Sequence, residues 1–415
     1  MRNNAFRFNL QELGGALGDL STLLPLMVAM ILINGLNATL VLVGVGVFYI
    51  VSGIYFRLPM PVQPLKAVAA IAISLGLSTN VIGAAGLLMG VILLLLSVTN
   101  LIAVVVKLFP HAVVRGIQLS IGLLLFGKGI ELVFSDGNLI SGTMGTLGMG
   151  QLPLGLFLAI STLLVFVLFK FVFFKQSQRF PPSLAMLIFG LGAGVVFGST
   201  SGLGELNTAL PGVVLPSITD FWLAMTVLVI VQLPLTIGNA VVGTWDTART
   251  YFKDEAYRVT PKALSMSMGL ANIAAGLFGI MPMCHGSTGL TAHYKLGART
   301  GGANLMIGGL ILAVGLFFGI GAIPFLSLIP LSVLGVLLAI VSIYHIILIR
   351  DINTKRQMAV VGAVAITTII LGNMAFGFGA GILLHHILRL DVPKFWSHLS
   401  GRVGYYRKAE ETQDQ

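Results

Sequence analysis

Three prolines, Pro59, Pro61 and Pro64, flank Gln63 and stand just before Lys66 in otherwise apolar sequence. Proline removes a backbone donor and stops a regular helix, yet it is favoured in a helix's first turn. The chain is therefore expected to run extended up to Pro64 and to begin a helix at or just after it. A second such place follows Pro282, where Cys284-His285-Gly286-Ser287-Thr288-Gly289 leads into a helical run to about Lys295. A helix start leaves N–H groups without intrahelical acceptors and carries partial positive charge. Two such starts facing each other make an anion site without many basic side chains. Lys66 would add a full charge, or would face a polar interface and snorkel.

Other polar residues extend this constellation. Asp19 lies in the apolar run Gly18-Asp19-Leu20-Ser21-Thr22. A carboxylate inside a membrane is costly and marks a functional site by default. Asp19 is a candidate for the substrate site, with Ser21 and Thr22 beside it, and for proton coupling. It would alternatively pair with Lys66 or cap a neighbouring helix. Gln232, Thr236 and Asn239 recur at i, i+4 and i+7, which puts them on one helix face. Such a stripe lines a cavity or glues helices together. His285, with Gly286, Ser287 and Thr288, offers a neutral donor to an oxyanion, a proton site, or only a helix start. Cys284-His285 lacks partners at metal-ligand spacing, and His385-His386 falls near the end of the last apolar segment. No metal or other cofactor is expected. No nucleophile–base set suggests an enzyme. Glu12, His293, Arg299 and Arg115 are expected at the cytoplasmic rim.

The elements that must hold these residues follow from composition. The chain has 415 residues, 56% hydrophobic and 9% charged, with a mean hydropathy of +0.99. Soluble proteins carry about 25% charged residues, so there is no room for a large soluble domain. The expected class is an all-α polytopic membrane protein. Apolar tracts of span length divide the chain into about fourteen segments: roughly 13–33, 36–56, 58–78, 80–106, 111–132, 152–175, 180–200, 219–243, 261–280, 282–298, 302–322, 331–349, 355–371 and 373–390. The net charge of +10 does not indicate nucleic acid, because the basic residues sit at span ends. With the N-terminus inside, every Lys and Arg except Lys66 and Lys128 falls on the cytoplasmic side, as the positive-inside rule requires. Both termini are then cytoplasmic, in a bacterial-type inner (plasma) membrane. The loops 133–151 and 201–218, rich in Gly, Ser and Thr, lie outside. The first ten residues lack the charged and apolar regions of a cleavable signal. The single cysteine, Cys284, excludes an intrachain disulfide.

An internal repeat orders the segments. Ser52-Gly53-Ile54-Tyr55, followed after three residues by Pro59-Met60, matches Ala275-Gly276-Leu277-Phe278, followed after three by Pro282-Met283. A weaker pair lies earlier, where Gly18-Asp19 stands opposite Gly238-Asn239. The repeat is seven segments long, and an odd number forces the two halves into opposite orientation. The expected division is 1–200, 219–390 and a short cytoplasmic tail, 391–415.

The runs Gly18-Asp19-Leu20-Ser21-Thr22, Pro59-Met60-Pro61-Val62-Gln63-Pro64-Leu65-Lys66, Gln232-Leu233-Pro234-Leu235-Thr236 and Met281-Pro282-Met283-Cys284-His285-Gly286 resemble the molybdate-transporter family related to the SulP anion transporters. Lys295-Leu296-Gly297-Ala298-Arg299-Thr300-Gly301 is similar to that family's Gly-Ala-Arg-Ser-Gly segment. The resemblance implies seven plus seven inverted spans of the uracil-permease type. It implies a core of spans 1–4 and 8–11 against a gate of spans 5–7 and 12–14, and a substrate site between the half-helices of spans 3 and 10. It also implies elevator-like movement. Ser287-Thr288 replace the Ala- or Gly-rich residues of the family pattern, and Gly238-Asn239 replace Leu-Asn. The tail is too short for the regulatory STAS domain of typical SulP members. The implied substrate is a tetrahedral oxyanion, molybdate first and sulfate or tungstate behind it. A nucleobase–proton symporter on the same fold and a motor-like membrane protein are the alternatives. A homodimer is compatible with the sequence, although nothing in it requires one.

Overall fold

The computed structural model describes residues 6–107, 110–134, 154–173, 182–197, 216–319, 321–322, 328–372 and 374–388. The expected outer loops, apart from their flanking residues, and the tail 391–415 lie outside these residues. So do several charges used to orient the chain, among them Arg2, Lys175, Arg179, Arg389 and Lys408.

The protein is an all-helical bundle with one short strand pair. The first half contains α1 (Leu10–Leu17), α2 (Leu20–Asn34), α3 (Ala38–Phe56), β1 (Gln63–Pro64), α4 (Lys66–Leu75), α5 (Thr79–Val98), α6 (Leu101–Lys107), α7 (His111–Phe134), α8 (Leu154–Val167) and α9 (Pro182–Phe197). The second half contains the long α10 (Ile218–Arg258), α11 (Pro261–Phe278), β2 (Met283–Cys284), α12 (Ser287–Leu296), α13 (Gly302–Phe318), α14 (Leu331–Ile346), α15 (Lys355–Leu371) and α16 (Met374–Ile387). Among the described residues, six helices are long and apolar enough to cross a membrane, or seven if α1 and α2, bent by 48° at Gly18-Asp19, count as one span.

Side chains set many of the helix boundaries. Asn37 caps α3 by accepting from the Leu40 amide at 3.0 Å, and Ser78, Thr260 and Thr354 cap α5, α11 and α15 in the same way. The helix α3 ends at Arg57 in the left-handed region. Beyond it the prolines keep 59–65 out of helix, and β1 pairs antiparallel with β2, Gln63 opposite Cys284 and Pro64 opposite Met283. This extended backbone is buried, so its polar groups need partners. Leu65 N–H donates to the Pro282 carbonyl at 2.9 Å. Two fully buried asparagines supply more. Asn304 donates to the Tyr49 and Met60 carbonyls, and Asn272 binds both the N–H and C=O of Met283.

The helices pair across the two halves: α3 with α13, α5 with α11, and α7 with α14. Glycines let the backbones approach, as in membrane helix packing generally. A Cβ on Gly308 would lie 2.8 Å from the Gly46 carbonyl oxygen, and one on Gly335 would lie 2.5 Å from that of Gly129. One helix group, α1–α5 with α10–α13, contains both strand-to-helix junctions. The other, α7–α9 with α14–α16, packs beside it.

Candidate functional site

The two junctions differ in how their helix starts are used. At α4, the extended Leu65 precedes Lys66, the first helical residue. Gln232 of α10 reaches across with Oε1 and accepts from the amides of Ala67 at 2.8 Å and Val68 at 3.2 Å. Its Nε2 donates to Thr236 Oγ1 at 2.9 Å. The polar stripe of α10 therefore caps α4 from outside the helix. Lys66 Nζ donates to Thr288 Oγ1 at 3.0 Å, which ties the start of α4 to the first turn of α12. Lys66 and Ala67 also line a cavity of about 220 Å³ between the helix groups, walled by Ile121, Leu124, Val231 and Thr368 among others.

At α12, Gly286 is the N-cap and provides no side chain. The amides of Ser287, Thr288 and Gly289 open the helix, with no carbonyl one turn back inside it. A Cβ at Gly286 would collide with Gln63 Oε1, so a larger residue there would displace the Gln63 side chain. Ser287 Oγ donates to Asn239 Oδ1 at 2.5 Å and lies 3.3 Å from His345 Nε2. Thr291 Oγ1 lies 2.9 Å from His345 Nδ1. Since the Ser287 proton goes to Asn239, Ser287 accepts from His345 Nε2–H, which leaves Nδ1 to accept from Thr291. The imidazole of α14 thus grips two hydroxyls of α12 across the boundary between the helix groups.

The remaining sequence candidates have specific places. His285 is fully buried, with Nδ1 2.8 Å from the Pro61 carbonyl, Nε2 3.0 Å from Ser267 Oγ and its ring stacked on Phe48. Both ring nitrogens are occupied, so it fastens the two extended arms together. Asp19 does not meet Lys66. It accepts from Gln63 Nε2 at 2.5 Å and from the Tyr49 hydroxyl at 3.3 Å. Ser21 Oγ bonds to the Gly18 carbonyl of its own helix turn, and Thr22 is buried beside it. The arrangement brings Gln63, Lys66, Gln232, Thr236, Asn239, Gly286, Ser287 and Thr288 to the two helix starts.

Three of the residues expected at the rim have specific partners on other elements. His293 is fully buried, with Nε2 3.8 Å from Asp19 Oδ2. Glu12 is buried and accepts from the Arg299 and Thr300 amides. Arg115 is only 2% exposed and binds Asp246 of α10, Asp351 and Gln118. Distance from a span end says nothing of a partner on another helix. Sequence reasoning also missed His345, Tyr49 and Asp246. A histidine in an apolar run was the available signal for His345. Among the described residues, no group of three or more metal-ligating side chains could hold an ion.

The fold of this chain is that of BicA and the SLC26 proteins. The chain superposes on the transmembrane domain of the cyanobacterial bicarbonate transporter BicA with a TM-score of 0.58 at 17% identity, covering 90% of this chain and 96% of that one. It superposes on murine Slc26a9, an anion transporter, in the inward-facing state with a TM-score of 0.62 at 17% identity, covering 92% and 68%. The chain belongs to the family described as molybdate transporter of MFS superfamily, whose model matches residues 11–125 and 224–344. It is 31% identical to molybdate transporter 2 of Arabidopsis thaliana over 91% of this chain and 87% of that protein. It is 32% identical to molybdate transporter 1 of the same plant over 93% and 90%. The protein is an integral multi-pass transporter, not an enzyme.

Proposed function

We propose that the protein imports molybdate, holding the dianion between the starts of α4 and α12, with sulfate as the second-ranked substrate. The observation that carries this reading is the meeting of the two helix starts, bridged by Lys66 and Thr288 at 3.0 Å. An oxyanion entering there would take the Lys66 ammonium from Thr288 and meet the first amides of α12 and the Ser287 and Thr288 hydroxyls. Charge-assisted bonds of this kind are about twice as strong as neutral ones. Buried amides at a helix start also favour negative charge.

The finer architecture belongs to the same proposal. Counting the half-helices gives fourteen spans as seven plus seven, with both termini on the cytoplasmic side of a bacterial-type inner membrane. The group α1–α5 with α10–α13 then acts as a core sliding against a gate, in elevator fashion. The pairing of α3 with α13 and of α5 with α11 supports this, because the repeat relates one pair to the other. Bringing a dianion into a cell whose interior is negative costs about 2.3 kcal/mol per charge for each ~100 mV, so import needs a coupled cation.

The test is titration of the purified protein with molybdate, sulfate and uracil. Molybdate should bind most tightly and sulfate should compete with it. Uracil binding without oxyanion binding would reject the proposal in favour of a nucleobase carrier.

A further inference from the structure

We propose, building on the oxyanion-import reading, that Asp19 and His293 form one proton-binding pair that makes the protein a proton–anion symporter. The Asp19 carboxylate is 1% exposed and His293 is fully buried. Asp19 accepts hydrogen bonds from Gln63 and Tyr49, while His293 Nε2 stands 3.8 Å from Oδ2. Neither ring nitrogen of His293 has a hydrogen-bond partner. A neutral imidazole carries one donor and one acceptor, and buried groups of this kind are nearly always paired. An imidazole with both nitrogens unbonded, 3.8 Å from a buried carboxylate, is placed to share a proton with it. Bound at His293, it gives an imidazolium against Asp19. Bound at Asp19, it gives a carboxylic acid able to donate.

The ionisable groups on the neighbouring elements are already committed. Glu12 of α1 takes the Arg299 and Thr300 amides, and Asp246 of α10 is bound to Arg115 of α7. His345 of α14 holds Ser287 and Thr291, and Lys66 holds Thr288. Lys295 lies over the Tyr251 ring, and Arg299 over that of Tyr294. Tyr49 of α3 donates to Asp19 itself.

Gln63 links this pair to the anion site. Its Nε2 is bound to Asp19, while its buried Oε1 has no partner and lies against Gly286. A Cβ at Gly289, in the first turn of α12, would come within 2.6 Å of Gln63 Nε2 and 2.9 Å of Asp19 Oδ1. A proton on Asp19 turns an acceptor into a donor. Gln63 then meets it with Oε1 and turns Nε2 toward Gly286 and the start of α12. Proton binding thereby adds a donor where the anion would sit. The proton comes from water on the loading side and returns to water on the other, with only an N–H or O–H bond formed and broken. Asp19, Tyr49, Gln63 and His293 all belong to the helix group that carries both helix starts, so proton and anion move together.

Two measurements test this. In liposomes at one proton per molybdate, the accumulation ratio rises about tenfold for each pH unit of imposed gradient, inside alkaline. His293→Gln removes that rise and the molybdate-driven proton flux, but still exchanges external for internal molybdate. Separately, ¹⁵N-histidine NMR of the purified protein without substrate shows His293 resonances that respond to proton uptake by the pair, and a response that is altered in Asp19→Asn. A His293→Gln protein with wild-type proton-linked accumulation would overturn the proposal. So would His293 resonances that respond neither to pH between about 5 and 8, through the ring or through Asp19 beside it, nor to Asp19→Asn. A wild-type protein that binds no molybdate rejects the substrate reading instead, and the NMR titration still decides the proton pair.

Discussion

The starts of α4 and α12 occupy equivalent positions in the two halves of the chain, yet they have been equipped differently. The start of α4 carries the charge: Lys66 sits at its first position, while the next amides are held by Gln232. The start of α12 carries no charge. Its glycine N-cap leaves room for Gln63, and its hydroxyls are held by Asn239 and by His345 of the opposite helix group. In the proposed function, the first junction attracts the anion, and the second recognises it and senses where the other group stands. The two junctions thus share a backbone form, strand into helix, while their side chains differ.

The largest effect should come from removing the charge. Lys66→Met deletes the half-buried ammonium and leaves Thr288 without its partner. Truncating one member of a buried charged hydrogen bond costs about 2–5 kcal/mol. Molybdate affinity measured by calorimetry should therefore fall by about 30-fold or more. Lys66→Arg should recover only part of it, because a planar fork replaces a point charge. Affinity unchanged in Lys66→Met would mean that helix dipoles alone hold the anion, making the two junctions equivalent after all.

A smaller loss should follow from uncapping α4. Gln232→Ala frees the Ala67 and Val68 amides and removes the bond to Thr236. Loss of a helix cap costs about 1 kcal/mol. The freed amides can also turn to the anion, which offsets part of that loss. The melting temperature should drop by a few degrees, while molybdate affinity changes less than about tenfold. If affinity collapses as far as in Lys66→Met, then Gln232 contacts the substrate and its capping role is secondary.

Much of this contrast was legible in the sequence, and the reason is proline. Pro59, Pro61, Pro64 and Pro282 announce where helix cannot run, and Lys66 and Gly286 stand where helix can resume. The stripe of Gln232, Thr236 and Asn239 was legible as a face, but its use as an external cap was not. That depends on Ala67, 165 residues away in the chain. The partners of His293 and Arg115 are hidden from the sequence for the same reason. Position along a span sets depth, whereas Asp19 and Asp246 reach them from helices whose packing no local pattern states. His345 is the extreme case: a lone histidine in α14 whose partners are both hydroxyls of another segment.

His345 also gives the mildest expected effect and the sharpest distinction between the junctions. It bonds only to Ser287 and Thr291, so it touches α12 and not α4. His345→Gln keeps a polar side chain of similar reach but cannot serve both hydroxyls in the same geometry. If the helix groups slide, this grip breaks in every cycle, so weakening it changes the rate of sliding more than the affinity of the site. A neutral hydrogen bond contributes about 0.5–1.5 kcal/mol, which corresponds to a change in transport kcat of about two- to tenfold with KM nearly constant. A change in KM at constant kcat would place His345 in the anion's own contacts instead. The recognising junction would then be assembled from both helix groups.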